Sequence, residues 1–155
     1  TMKAIVIYDS VFGNTEKVAQ AIAKGLGTDC ACLRAGAVKL TQVTAADLVV
    51  MGSPTRSFAA TPAVMSLLEA IPSGALACKK IAAFDTRIPM GGIKGLLFKK
   101  IIDKGGYAAP IIAEQLQSKG GSLVKPPEGF FVKGEEGPLA AGELERAEEW
   151  GKQLL

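Results

Sequence analysis

The chain has 155 residues, 48% hydrophobic and 21% charged, and carries a formal charge of +3 from 18 basic and 15 acidic side chains. That length suits one domain, 1–155, able to bury about two thirds of its extended-chain surface, and the composition excludes an intrinsically disordered chain. The basic residues are scattered among acids, so no nucleic-acid partner is expected.

No apolar run approaches the roughly 20 residues that span a bilayer, and no basic stretch leads into one, so a cytoplasmic protein without membrane insertion is expected. Thr1 before Met2 reads as an expression remnant. Cys30, Cys32 and Cys78 form no C-x-x-C pair, and the chain contains no histidine. A soft metal site is therefore not expected, and the three thiols read as buried or half-buried small apolar side chains in a reducing compartment.

The run KAIVIY, 3–8, is β-branched and lacks strict alternation, as in a strand covered on both faces. From Thr15 the period changes: Val18, Ile22 and Leu26 recur every four residues, and Gly25 and Gly27 close the segment. Asn14 or Thr15 is placed to cap this helix. Cys30 to Arg34 reads as a short edge strand, and 35–47 as a weakly helical connection. LVVM, 48–51, is a third strand. Thr61 is placed to cap a helix with Pro62 in its first position, running through Val64, Leu67, Leu68 and Ile71.

KKIAAFD, 79–85, is the fourth strand, with Cys78 just before it, and TRIPMGGIKG is a loop rich in Gly and Pro. LLFKKIIDK, 96–104, is a short helical piece. Ala108, Ile112 and Leu116 mark a further helix that Gly120 and Gly121 stop. The fifth strand, SLVKPPEGFFV, is disturbed by Pro126 and Pro127, which predicts a bend or a strand in two pieces. Leu144, Ala147, Gly151 and Leu154 trace the apolar face of a terminal helix, with Trp150 packing beside it.

Alternating strands and helices predict an α/β three-layer domain built on a parallel sheet. In such sheets ligands lie beyond the C-terminal strand ends. The loops there begin near Asp9, Ser53 and Asp85. In the first loop, hydroxyls of Ser10 and Thr15, the Asn14 amide and helix-start N–H groups can surround an anion, and Gly13 lets the backbone curve closely around it. The loop contains neither the Gly-Lys-Ser/Thr of a Walker loop nor a G-x-G-x-x-G, and a plain turn with a cap is the alternative.

The chain resembles flavodoxins and flavodoxin-like domains of the short-chain type over almost its whole length. The resemblance is carried by Ser10-Val11-Phe12-Gly13-Asn14-Thr15 and by DLVVMGSPTRSF, with Gly52-Ser53-Pro54-Thr55 at the second turn. It implies a five-stranded parallel sheet in the order 2-1-3-4-5 and a non-covalent FMN cycling through oxidised, semiquinone and hydroquinone forms in electron transfer. By the same resemblance the phosphate lies on Ser10, Val11, Phe12, Gly13, Asn14 and Thr15. The flavin ring lies against Ser53, Pro54, Thr55, Arg56, Ser57, Phe58, Asp85, Thr86, Arg87, Met90 and Gly91.

Phe58 is the candidate stacking residue, and its alternative is a place against Pro62 or Met65. Phe12 departs from the small polar residue usual in the family, and the second ring-side loop has no aromatic, leaving that side to Ile88, Pro89 or Met90. Tyr107 reads as packing at a helix start. Arg56 and Arg87 replace the acidic surroundings usual in flavodoxins. Either they raise the reduction potential or they pair with local acids. No hydrolytic triad or residue-based general acid is expected.

Redox partner proteins, and a monomer or weak dimer, are the expected context. An FMN-dependent NAD(P)H:quinone-type reductase, or a binding module of this fold that has lost flavin, are the alternatives.

Overall fold

The computed structural model describes residues 2–27, 29–56, 59–89 and 107–155. Its strands are β1 (Ala4–Tyr8), β2 (Cys30–Arg34), β3 (Leu48–Pro54), β4 (Lys80–Arg87), β5 (Ser122–Leu123) and β6 (Glu128–Phe131). They form one parallel sheet in the order β2-β1-β3-β4-β5, and β6 also pairs with β4. The expected five-stranded order is present, with the fifth strand in two pieces on either side of Pro126 and Pro127. Two prolines cannot donate to the ladder, so pairing lapses between Leu123 and Glu128.

The helices are α1 (Asn14–Leu26), α2 (Leu40–Ala45), α3 (Pro62–Ala70), α4 (Ala108–Ser118) and α5 (Glu143–Gln153). Sequence periodicity did not locate α2, which is only six residues long and follows a 3₁₀ turn at Ala35–Ala37. The helix expected over 96–104 lies outside the described residues.

Alternate residues of β1 feed two separate cores, which is why its sequence is apolar throughout. Ile5 and Ile7 join Val49, Met51 and Ile81 beneath α3 and α4, where Leu68, Ile112 and Leu116 are fully buried. Ala4, Val6 and Tyr8 join Val50, Phe84 and Phe130 beneath α1 and α5. In this second layer Phe84, Phe130 and Trp150 meet edge to face, with ring centroids 6.0–6.3 Å apart.

Trp150 is therefore a core residue, whereas Leu144, expected on the buried face, is 39% exposed. The stripe runs instead through Ala147, Trp150, Gly151 and Leu154. Its N-terminal place is taken by Glu143, whose carboxylate accepts the Phe131 N–H at 2.7 Å and two Arg146 N–H groups at 2.7 and 2.9 Å. Arg146, before burial, is the largest influence on Glu143 and holds its carboxyl below the usual range. This network fastens the start of α5 to β6.

Two further expectations need correction. Thr61 does occupy the position before Pro62, but its hydroxyl makes no cap and is buried without a hydrogen-bond partner among the described residues. The Ser53 hydroxyl instead accepts the N–H of Thr61 itself at 3.0 Å, which fixes the residue before the helix without capping it. Cys30 and Cys32 are half-buried as expected, and burial pushes the Cys32 thiol up to about 11. Cys78, by contrast, is exposed in the turn before β4, with φ at 65°.

Helices α1 and α5 approach most closely where each presents a glycine. A Cβ on Gly25 would fall on the Glu148 carbonyl oxygen, and one on Gly151 on that of Ile22. Gly151→Ala should therefore destabilise the protein. Alanine gains about 1 kcal/mol in helix propensity, but overpacking against rigid backbone costs about 1–3 kcal/mol or more. A lower urea midpoint is expected, and an unchanged or higher one would mean the two helices have room to part.

Candidate functional site

The C-terminal ends of β1, β3 and β4 surround a cavity of about 280 Å³. This is near the lower bound for small-molecule sites. The first loop supplies Val11, Phe12, Asn14 and Thr15, the end of β3 supplies Pro54, Thr55 and Arg56, and β4 supplies Thr86, Arg87 and then Ile88. Val132 and Glu135 close it from the segment after β6.

The first loop is held in shape by its own polar groups. Gly13 stands at the N-cap of α1 with φ 91° and ψ −8°, a left-handed conformation that glycine adopts without strain. The expected cap by Asn14 or Thr15 is absent, because both side chains have partners elsewhere. The Asn14 amide donates to the Glu136 carbonyl at 3.1 Å, and the Thr15 and Thr86 hydroxyls share a hydrogen bond at 2.7 Å.

The Ser10 hydroxyl accepts N–H groups of Gly13 at 3.1 Å and Glu16 at 3.3 Å, so it braces the turn and lies outside the cavity lining. Asp9 accepts the Ser10 N–H at 2.9 Å, and Arg34 donates to the Ser10 carbonyl at 3.2 Å.

The third loop begins later than the sequence suggested. Strand β4 continues past Asp85 to Arg87 because Thr86 and Arg87 pair with Phe130 and Phe131 of β6. The strand period of two then sorts the three polar residues. Thr86 faces Thr15 of α1, while Asp85 and Arg87 share the opposite face. Asp85 is fully buried and accepts two Arg87 N–H groups at 2.7 Å and the Ala109 N–H, in the first turn of α4, at 2.9 Å.

Arg87 stacks over Tyr107, which precedes α4, at 3.6 Å from the ring centroid. The guanidinium occupies the space a Cβ on Gly129 would need. Burial raises the Asp85 carboxyl, and Arg87 and the Ala109 N–H pull it back only in part.

Of the residues expected at the ring, Pro54, Thr55, Arg56, Thr86 and Arg87 reach the cavity. Ser53 and Asp85 are buried behind it, Ser53 donating to the Pro54 carbonyl at 2.8 Å. Ser57, Phe58, Met90 and Gly91 lie outside the described residues. Both arginines have acid partners: Asp85 for Arg87, and Glu135, at 3.9 Å, for Arg56, whose guanidinium also lies 5.6 Å from the Phe12 ring. Sequence reasoning missed Val132 and Glu135. Their only signal was the Gly-rich acidic stretch GEEGP between a strand and a helix.

Removing Arg87 leaves a buried carboxylate without its main partner, which typically costs about 3–5 kcal/mol. Arg87→Met should therefore lose stability of that order at neutral pH. The sign follows from the raised Asp85 pKa, which rises further without the guanidinium. Protonation relieves the buried charge, so the deficit relative to wild type should shrink as the pH falls towards that pKa. Urea unfolding at several pH values checks this, and a pH-independent deficit would assign the loss to packing alone.

No curated protein sequence matches the chain. Among solved structures it is similar to a flavodoxin from the domain Archaea, at 24% identity over 99% of this chain and 96% of that one, with a TM-score of 0.73. It is also similar to oxidised flavodoxin 2 from Bacillus cereus, at 21% identity over 98% and 97% of the two chains and a TM-score of 0.72. Rubredoxin oxygen:oxidoreductase from Desulfovibrio gigas matches 99% of this chain with 35% of its own, at 23% identity and a TM-score of 0.72. The family model described as flavodoxin domain matches residues 5–90, from β1 to just beyond β4, and the chain belongs to the flavodoxin domain family.

Proposed function

We propose that residues 1–155 act as a single domain that binds FMN without a covalent bond and carries electrons between protein partners in the cytoplasm. The observation that carries this reading is the cavity itself, where the loop after β1 meets Thr86 and the ends of β3 and β4. Its donor chemistry suits a phosphomonoester: an amide at Asn14, hydroxyls at Thr15 and Thr86, the first turn of a 13-residue helix, and a guanidinium at Arg56.

When bound, FMN supplies the electron chemistry, and the chain supplies position and electrostatics. Asn14 and Thr15 would hold the phosphate, and Val11, Phe12 and Ile88 would exclude water from the cavity mouth. Arg87 would contribute shape more than charge, because Asp85 balances it and Tyr107 fixes its plane.

Titration of flavin-free protein with FMN tests the reading directly. Saturable quenching of flavin fluorescence at one FMN per chain is the expected result, and the natively purified protein should be yellow. Protein that stays colourless at saturating FMN would end the flavin reading.

The charge pairing also limits how far the arginines shift the potential. Arg56 is the cation lining the cavity with the weaker acid partner, and its pair with Glu135 is exposed. Such charges contribute about 0–1 kcal/mol, and 30 mV corresponds to about 1.4 kcal/mol for two electrons. Arg56→Gln should therefore make the two-electron potential more negative by no more than about 20 mV. A much larger change in reductive titration would show Arg56 acting as an unscreened charge.

A further inference from the structure

The Thr15 and Thr86 hydroxyls have more hydrogen-bonding capacity than their mutual contact uses. Thr15 is 1% exposed and Thr86 5% exposed, their oxygens lie 2.7 Å apart, and both residues line the cavity. A pair of hydroxyls holds two protons, and one bond between them commits one. Whichever threonine donates, the other keeps a proton, and no further hydrogen bond involves either side-chain oxygen among the described residues. A donor buried this thoroughly without an acceptor is unfavourable. An oxyanion in the cavity would supply the acceptor.

We propose that Thr86 is a positioning residue for the cofactor phosphate: by bonding the Thr15 hydroxyl, it makes the pair present one proton to a phosphate oxygen at the start of α1. This inference rests on the flavin reading above and adds to it how Thr86 acts, through the Thr15 hydroxyl of a different element. Thr86 is well suited to the task because its backbone is held from both sides, opposite Pro54 in β3 and Phe130 in β6. Thr15 is the second residue of α1, where the helix dipole also favours negative charge. Ser10 braces the turn outside the cavity lining, and the Thr55 hydroxyl lies at the end of β3, where it accepts the Ala108 N–H at 3.1 Å, so the threonine pair is the hydroxyl donor that lines the cavity at the start of α1 among the described residues.

The test compares FMN with riboflavin, which lacks the phosphate, on wild type, Thr86→Val and Thr86→Ser. Thr86→Val keeps the shape and removes the hydroxyl. It should weaken FMN about two- to tenfold and leave riboflavin affinity unchanged. Thr86→Ser should restore FMN binding, and the ³¹P resonance of bound FMN should shift in Thr86→Val and return in Thr86→Ser.

Equal losses for both ligands, undiminished FMN affinity in Thr86→Val, or a wild type that binds the two ligands equally would each overturn the proposal. If wild type binds neither flavin, the flavin reading fails, and inorganic phosphate becomes the probe. Phosphate binding that Thr86→Val weakens and Thr86→Ser restores would keep the threonine assignment, and any other result would remove it.

Discussion

The site depends on β4 remaining a strand for three residues beyond its apolar run. Parallel pairing to β3 on one side and β6 on the other holds Thr86 and Arg87 in extended backbone. Alternation then does the sorting: Phe84 goes to the aromatic core beneath α1 and α5, Asp85 to the α4 side, Thr86 to Thr15, and Arg87 back to Asp85. A shift of one residue in that pairing would put a carboxylate against Phe130 and Trp150, a register that burial makes prohibitively costly.

The electrostatics of the cavity follow from how its arginines are committed. Arg34 braces the first loop through the Ser10 carbonyl and lies near Asp9 and Glu16. Arg87 is bound to a buried carboxylate, and Arg56 lies within reach of Glu135. Among the described residues, each of these three arginines is thus held by an acid. What the cavity offers an anion is an amide, hydroxyls and a helix start, groups whose dipoles are already oriented by the fold. Such preorganised donors need little rearrangement when a ligand arrives.

The segment after β6 ties the two halves of the site together. It bridges Val132 to Leu139 and brings the Glu136 carbonyl to Asn14 and the Glu135 carboxylate to Arg56. Its own placement is secured by Glu143 and Arg146, which together bind the Phe131 N–H and the Gly129 carbonyl. Residues more than 120 positions apart in the chain thereby meet across one cavity.

The order of elements, the burial of both sheet faces, the split fifth strand and the polar turn after β1 were legible in the sequence, because each rests on local chemistry: β-branched runs, a helical period, two prolines, a Gly-Asn-Thr corner. The partners of the polar side chains were not legible. Asn14 and Thr15 have the right chemistry to cap α1, yet tertiary contacts with Glu136 and Thr86 claim them, and Gly13 is left as the cap. Thr86 looks like the first residue of a loop until β6 supplies the neighbour that extends the strand, and the GEEGP stretch does not by itself announce that Val132 and Glu135 close a cavity. Sequence alone determined which chemical groups were available and the fold that would collect them. Only the tertiary structure decided which groups satisfy one another and which remain facing the cavity, since hydrogen bonds between distant elements depend on strand register and helix docking rather than on neighbours along the chain.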